Sequence, residues 1–167
     1  PVSKRLGKKS TYLFSMAALI GLSIAFFFLP ATAGGYFAMF AFQIIISTFT
    51  GAISPLVWSM YADAADYSEL KDGTASTGLI FSSASMAQKF GGAVGGAAVM
   101  WLLAAFGYDT TAGVVQTETA ILGLRVLMSW IPALVAALAI VVVWFYPLTK
   151  QKMEGVQAEL AAKRAER

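Results

Sequence analysis

The chain has 167 residues, of which 58% are hydrophobic and only 13% charged, with a net charge of +3 and a mean hydropathy of +0.70. Soluble domains run nearer 45–50% apolar and about 25% charged, so the composition excludes an ordinary soluble globule and points to the bilayer. The absence of Cys and His excludes a disulfide framework, a thiolate nucleophile, an imidazole base and the commonest metal ligands.

Residues 10–62 contain no Asp, Glu, Lys or Arg. As a helix this stretch would run about 80 Å, roughly two crossings of a 30 Å hydrocarbon core plus a turn. A first apolar segment covers about 11–29 and stops at Pro30, with Gly34 and Gly35 completing a turn. The second covers about 36–62 and ends at Asp63; the third covers about 77–106 and is interrupted only by Lys89. The fourth covers about 120–148, with Arg125 near its start and Pro132 inside it. The strands of a β-barrel would be about 10 residues long with apolar/polar alternation, which is absent. The reading is an all-α integral membrane protein with four transmembrane helices. They are joined by a connection over 63–76 and an outer loop over 107–119, with 1–10 and 149–167 outside the bilayer. In the tail, Met153, Val156 and Leu160 fall at helical spacing among charges, which predicts a short amphipathic helix on the membrane surface or against the loops; the alternative is a frayed, solvated tail.

Ten of the twelve Lys and Arg lie on one side: Lys4, Arg5, Lys8 and Lys9, then Lys71, then Lys150, Lys152, Lys163, Arg164 and Arg167. The Pro30 turn and the outer loop carry none, only Asp109 and Glu118. The positive-inside rule puts both ends of the chain in the cytoplasm. The same distribution explains the basic balance without nucleic acid as a partner. The start at Pro1 rather than Met suggests a piece of a longer polypeptide.

The four segments differ in polarity. In the second, Gln43, Ser47, Thr50, Ser54 and Trp58 recur at three or four residues, and in the third Ser82, Ser85 and Lys89 do so, with Gln88 adjacent. Each set shares a helix face. Two readings stand side by side: the faces line a polar cavity, or they glue helices by hydrogen bonds. Lys89 favours the first. It sits about 16 Å into its helix, near the midplane and beyond easy snorkelling reach, where a charge is usually kept for a substrate, an ion or a carboxylate partner. No Asp or Glu lies within the four segments to pair with it. Arg125, near its helix start, is within snorkelling reach of the outer interface and of Glu118 or Asp109. Gly91, Gly92, Gly95 and Gly96 allow a close helix approach or a sliding surface. Asp63, Asp66 and Glu69 read as a solvated helix-end network with Lys71 in preference to a metal cluster. Ser82 and Ser85 have no base to activate them, so no catalytic residue and no enzyme is expected.

The stretch Ala62-Asp63-Ala64-Ala65-Asp66-Tyr67-Ser68-Glu69-Leu70-Lys71, then Gly78, Phe81-Ser82, Lys89-Phe90-Gly91-Gly92 and Gly107-Tyr108, resembles the glycoside-pentoside-hexuronide cation symporter family. This is the melibiose-permease-like branch of the major facilitator superfamily. The pattern D-x-x-D-Y-x-E-x-K followed eighteen residues later by a membrane lysine carries the resemblance, and Tyr146-Pro147-Leu148-Thr149-Lys150 with Glu159-Leu160 extends it to the C-terminal end. It implies the last four of twelve helices, in a bacterial multi-pass inner-membrane protein whose remaining N-terminal helices are partners of these. It implies sugar:cation symport by alternating access, a small sugar or glycoside as solute, no cofactor, and Na⁺ or H⁺ as coupling ion bound to carboxylates outside this chain. Lys89 would belong to the sugar and cation region, and Asp63, Asp66, Tyr67, Glu69 and Lys71 to a cytoplasmic gate network. Where the family often has arginine shortly after the loop glycine, this chain has Thr74 and Ala75 after Gly73. The alternatives are a symporter of the same fold for a non-sugar solute, or a four-helix membrane assembly or interaction subunit.

Overall fold

The computed structural model describes residues 6–30, 32–74, 76–111 and 113–165. Lys4, Arg5 and Arg167, counted above among the basic residues, lie outside them. Among the described residues six helices follow one another: α1 (Lys8–Phe27), α2 (Ala33–Asp72), α3 (Thr77–Ala105), α4 (Glu118–Met128), α5 (Trp130–Trp144) and α6 (Lys150–Ala165). No strand occurs among the described residues, as a backbone immersed in hydrocarbon requires its N–H and C=O groups to be satisfied within each helix.

α1 is the centre of the bundle, packed between α5 and α2. Its buried residues Tyr12, Ser15, Leu19, Ser23 and Phe26 repeat at three and four, a single face by the 3.6-residue period. Tyr12 and Leu19 meet Ile53 and Met60 of α2 in the main apolar cluster, with Ala139 and Val143 of α5 packed against it. At the turn into α2, the Thr32 hydroxyl accepts from the Gly35 N–H at 3.1 Å, and a Cβ on Gly35 would run into the Pro30 carbonyl.

α2 is 40 residues long, about 60 Å at 1.5 Å per residue. The connection expected to begin at residue 63 is therefore helical through Asp72, and only Gly73 in the left-handed conformation, φ +70°, ends it. The acidic residues that break the apolar pattern do not break the helix, because Ala62, Ala64, Ala65, Glu69, Leu70 and Lys71 are all good helix formers. Pro55 lies within α2 without ending it.

The fourth expected segment is one span in composition and two helices in geometry. α4 stops at Met128 and α5 starts at Trp130 around Ser129, at φ −123° and ψ −72°. Pro132 offers no N–H to the Met128 carbonyl four residues back, and the fully buried Ser129 turns its hydroxyl onto the Arg125 carbonyl. At the opposite end of α3, Gly107 at φ +72° closes the helix while the Tyr108 N–H reaches the Leu103 carbonyl at 3.0 Å. Phe106 is seated on Gly123 of α4 so closely that a Cβ there would overlap its ring.

Among the described residues, three stretches are long and apolar enough to cross a membrane: Lys8–Phe27, Gly34–Asp72 and Glu118–Trp144. The fourth expected span, α3, forms as a 29-residue helix close to its expected bounds but is not one of the three. Gln88, Lys89 and its Ser and Gly residues dilute its hydropathy.

The tail is ordered as α6. Met153, Val156 and Leu160 are buried with Leu148, and Ala64, Tyr67 and Leu70 of α2 pack against them. The amphipathic helix predicted from the spacing is thus seated on the far end of α2 rather than frayed.

Two stability predictions follow from these contacts. Gly123→Ala should lower unfolding stability in detergent by about 1–3 kcal/mol, because the Phe106 ring must be displaced, and Phe106→Leu added to it should recover part of the loss in a thermal melt. Leu160→Asp should remove about 2 kcal/mol of burial from the α6 seat, so trypsin should cut at Lys152 and Lys163 some thirtyfold faster; an unchanged cleavage rate would contradict the packing of α6.

Candidate functional site

Two polar regions emerge from this frame. The first is at the end of the bundle where α1 begins and α2 and α5 end. Lys8 donates to the Asp63 carboxylate at 2.7 Å and to the Ser59 carbonyl at 3.2 Å; the Asp63 side chain is only 7% exposed. Lys8 is placed there because Lys8, Tyr12, Ser15 and Leu19 share one face of α1. Lys9 donates to the carbonyls of Trp144 and Tyr146 at 2.7 Å each, a cation at the negative end of α5. Tyr146 donates its hydroxyl to the Met60 carbonyl at 3.2 Å.

Nearly two turns further along α2, Arg164 of α6 holds Glu69 at 2.7 Å. That bonded carboxylate raises the guanidinium above its ordinary value. The ammonium of Lys152 sits 4.9 Å from the centre of the Tyr67 ring, a cation–π contact. Of the residues expected in a gate network, Asp63 is paired with Lys8, Glu69 with Arg164, and Tyr67 lies under Lys152. Lys71 is exposed, and Lys8, Lys152 and Arg164 take the places expected of it, with Asp66 near enough to add to the field on Arg164. Arg164 was legible in part, four residues after Leu160 on the same face of α6. Lys8, 55 residues from Asp63, was not. Among the described residues no group of His, Cys, Asp or Glu is arranged to hold a metal ion.

The second region is a groove of about 440 Å³ between α2 and α3. α2 contributes Thr50, Ser54 and Trp58, with Ile53, Val57 and Tyr61 between them; α3 contributes Ala84, Ala87 and Gln88. The Trp58 indole is stacked on the Phe81 ring at 5.8 Å and 22° and meets the Tyr61 ring edge-on at 5.7 Å. Thr50 donates its hydroxyl to the Ile46 carbonyl at 2.9 Å, leaving its lone pairs for a ligand.

Only some of the expected cavity residues meet here. Thr50, Ser54, Trp58 and Gln88 line the groove, whereas Ser47, Ser82, Ser85 and Lys89 do not. Gln43 borders a separate apolar recess with Phe26, Phe40 and Met128. Ser82 donates back to the Leu79 carbonyl at 3.0 Å. At 100° per residue Lys89 is turned about 150° from the mean direction of Ala84, Ala87 and Gln88; Ser82 and Ser85 share its face. That face is exposed or half-exposed, α3 has no buried residue, and nothing lies within 4 Å of a Cβ added at Gly91, Gly92, Gly95 or Gly96. Arg125 bonds the Leu29 carbonyl at 3.2 Å rather than Glu118 or Asp109. That carbonyl lies at the open C-terminal end of α1, where a helix leaves acceptors unpaired, while Thr111 holds Asp109 and lowers its carboxyl below the ordinary value.

Residues 1–150 match the family model described as MFS/sugar transport protein, and the chain belongs to this family, one of transporters and not of enzymes. It is 32% identical over 156 residues to the glucuronide carrier protein homolog of Escherichia coli strain K12, covering 93% of this chain and 33% of that protein. It is 33% identical over 155 residues to the inner membrane symporter YicJ of the same strain, covering 92% and 33%. To the isoprimeverose transporter of Lactiplantibacillus pentosus it is 32% identical over 154 residues, covering 89% and 30%. The chain thus spans about a third of the length of the curated relatives it matches. No solved structure matches it.

The ion pair at the head of α1 gives a direct prediction. Lys8→Met leaves the Asp63 carboxylate buried without its cation and should cost about 3 kcal/mol, the low end for such a loss because Lys8 is itself a third exposed. Lys8→Met with Asp63→Leu should recover most of it in a double-mutant cycle read by thermal unfolding.

Proposed function

We propose that these residues form the C-terminal part of a secondary active transporter that moves a sugar or glycoside together with Na⁺ or H⁺. The observation that carries this reading is the groove between α2 and α3, walled by hydroxyls, an amide and an indole, in a chain of the sugar-transport family. The names of the relatives, a glucuronide carrier homolog and an isoprimeverose transporter, support a sugar or glycoside as the solute. Two halves of the whole protein alternate access to a midplane site in folds of this class, and the remaining helices, with the coupling-ion carboxylates, belong to polypeptide outside this chain. The protein resides in a bacterial inner membrane with both ends of this chain in the cytoplasm, a placement supported by the Lys and Arg distribution and by bacterial relatives.

Lys89 couples the ion to the solute. An ammonium at that depth with no partner among the described residues needs a carboxylate or an ion site facing it, and its protonated charge opposes cation occupancy unless that carboxylate balances both. The acids and cations around Asp63 and Glu69 hold the cytoplasmic gate when it is closed.

Uptake by the whole protein in right-side-out membrane vesicles tests this. Lys89→Ala should abolish concentrative accumulation of a labelled glycoside while leaving solute exchange across the membrane in place. Accumulation at the level of the parent protein would remove the coupling role from Lys89.

A further inference from the structure

Arg125 stands apart from the other cations of the chain. Between Phe90 and Tyr146 it is the one Lys or Arg, and among the described residues it belongs to no ion pair. Its bond to the Leu29 carbonyl uses one of the five donors of a group that keeps its charge at any working pH. Leu29 follows Lys8 by 21 residues, about 30 Å along a helix axis, which is one hydrocarbon thickness. The guanidinium therefore lies at the far boundary of the hydrocarbon from the Lys8–Asp63 pair. Its neighbours on α4, Ile121, Leu122 and Met128, are exposed apolar side chains, and Phe28, Tyr36 and Trp130 are exposed aromatics near the same level, as in the belt of a membrane interface.

Immediately inward of this cation is an apolar recess of about 240 Å³, lined by Phe26, Tyr36, Met39, Phe40, Gln43 and Met128. Met128 lies one turn inward from Arg125 on α4, and Phe26 lies one turn inward from Leu29 at the end of α1, so recess and cation share one seam. One turn of helix, 10 Å across and 5.4 Å high, fills roughly 400 Å³. The recess thus admits an alkyl chain or a side chain, not a helix. Tyr36 belongs to the first turn of α2, whose positive end adds to the field at this level.

We infer that Arg125 and the recess beneath it form a site for one phospholipid of the far leaflet, with the phosphodiester on the guanidinium and an acyl chain between α1, α2 and α4. A planar guanidinium matches phosphate oxygens with parallel N–H bonds, and at the headgroup boundary a phosphodiester is the anion in supply. The recess points from that cation toward the midplane, the course an acyl chain takes from its headgroup. The bound lipid would hold the α1–α2 turn against the end of α4, and it is independent of which solute the transporter carries.

The test is native mass spectrometry of the whole protein, delipidated in detergent and titrated with dioleoylphosphatidylglycerol, dioleoylglycerol or inorganic phosphate. The parent should retain one phosphatidylglycerol more than Arg125→Gln, whose affinity for that lipid should fall about tenfold, the loss expected of a charge-assisted hydrogen bond. Lipid held by the basic residues near the chain ends is common to both proteins and cancels. Arg125→Lys should keep part of the difference, and Met39→Trp, which fills the recess, should remove it with the cation still in place. Dioleoylglycerol, with the same chains and no phosphate, should bind the parent and Arg125→Gln alike; a purely structural role for Arg125 would move both lipids together. In a thermal melt, phosphatidylglycerol should raise the melting temperature of the parent above its lipid-free value and do so less for Arg125→Gln. Equal retention by parent and Arg125→Gln would overturn the proposal, as when another segment of the polypeptide fills the recess. Displacement of the lipid by millimolar inorganic phosphate would overturn it in favour of a free-anion site, and indifference to Met39→Trp would overturn the acyl-chain seat.

Discussion

The Lys8–Asp63 ion pair is the contact on which the architecture turns. It joins the first turn of α1 to α2 at the level where α2 leaves the apolar cluster, and every other link at that end is arranged around it. Lys9, next in sequence, draws in the C-terminal carbonyls of α5. Tyr146 ties the exit of α5 back to Met60, and Leu148 begins the small apolar cluster on which α6 rests. A buried charge pair contributes little net stability over an apolar replacement but fixes register, because a displacement of either helix leaves an uncompensated charge. In a bundle whose core contacts between α1, α2 and α5 are mostly apolar and tolerant of sliding, the pair and the hydrogen bonds beside it specify one arrangement.

α3 stands outside this arrangement. It is fastened near one end by the stacking of Phe81 on Trp58 and at the other by Phe106 on Gly123. Between these points Gly91, Gly92, Gly95, Gly96 and Lys89 are exposed among the described residues. The two faces of α3 differ in chemistry, one neutral toward the groove and one carrying Ser82, Ser85 and Lys89. The face of α3 opposite the groove is thus exposed among the described residues, in a chain spanning about a third of its relatives.

Much of this was legible in the sequence, and the exceptions have physical causes. Charge-free runs located the helices because burial in lipid forbids charge over a length set by the bilayer. The three-and-four spacing of Met153, Val156 and Leu160 located the seat of α6 for the same reason that any buried stripe does. The end of α2 was misplaced because apolarity marks where a helix leaves the membrane, not where it stops, and Ala62 to Asp72 keeps helical propensity after losing apolarity. The break at Ser129 depends on a buried hydroxyl acting together with Pro132, which no single position announces. In the candidate site, Thr50, Ser54 and Trp58 of the α2 stripe share the groove face, while Gln43 and Ser47 lie outside it. The α3 stripe was a true face pointing elsewhere. Periodicity shows which residues lie together on a helix but leaves its rotation about its own axis undetermined, and only the packing of Ala84, Ala87 and Gln88 opposite α2 fixes that rotation.

The unbroken length of α2 makes it a lever with Pro55 as a natural fulcrum. From Pro55 to Asp72 the axis runs about 25 Å, so a bend of about 10° at the proline carries the Asp72 end about 4 Å sideways while Thr50 hardly moves. Because α6 is seated on Ala64, Tyr67 and Leu70, it rides on that arm, and a small change of angle beside the groove becomes a displacement of several atomic radii at the charged tip.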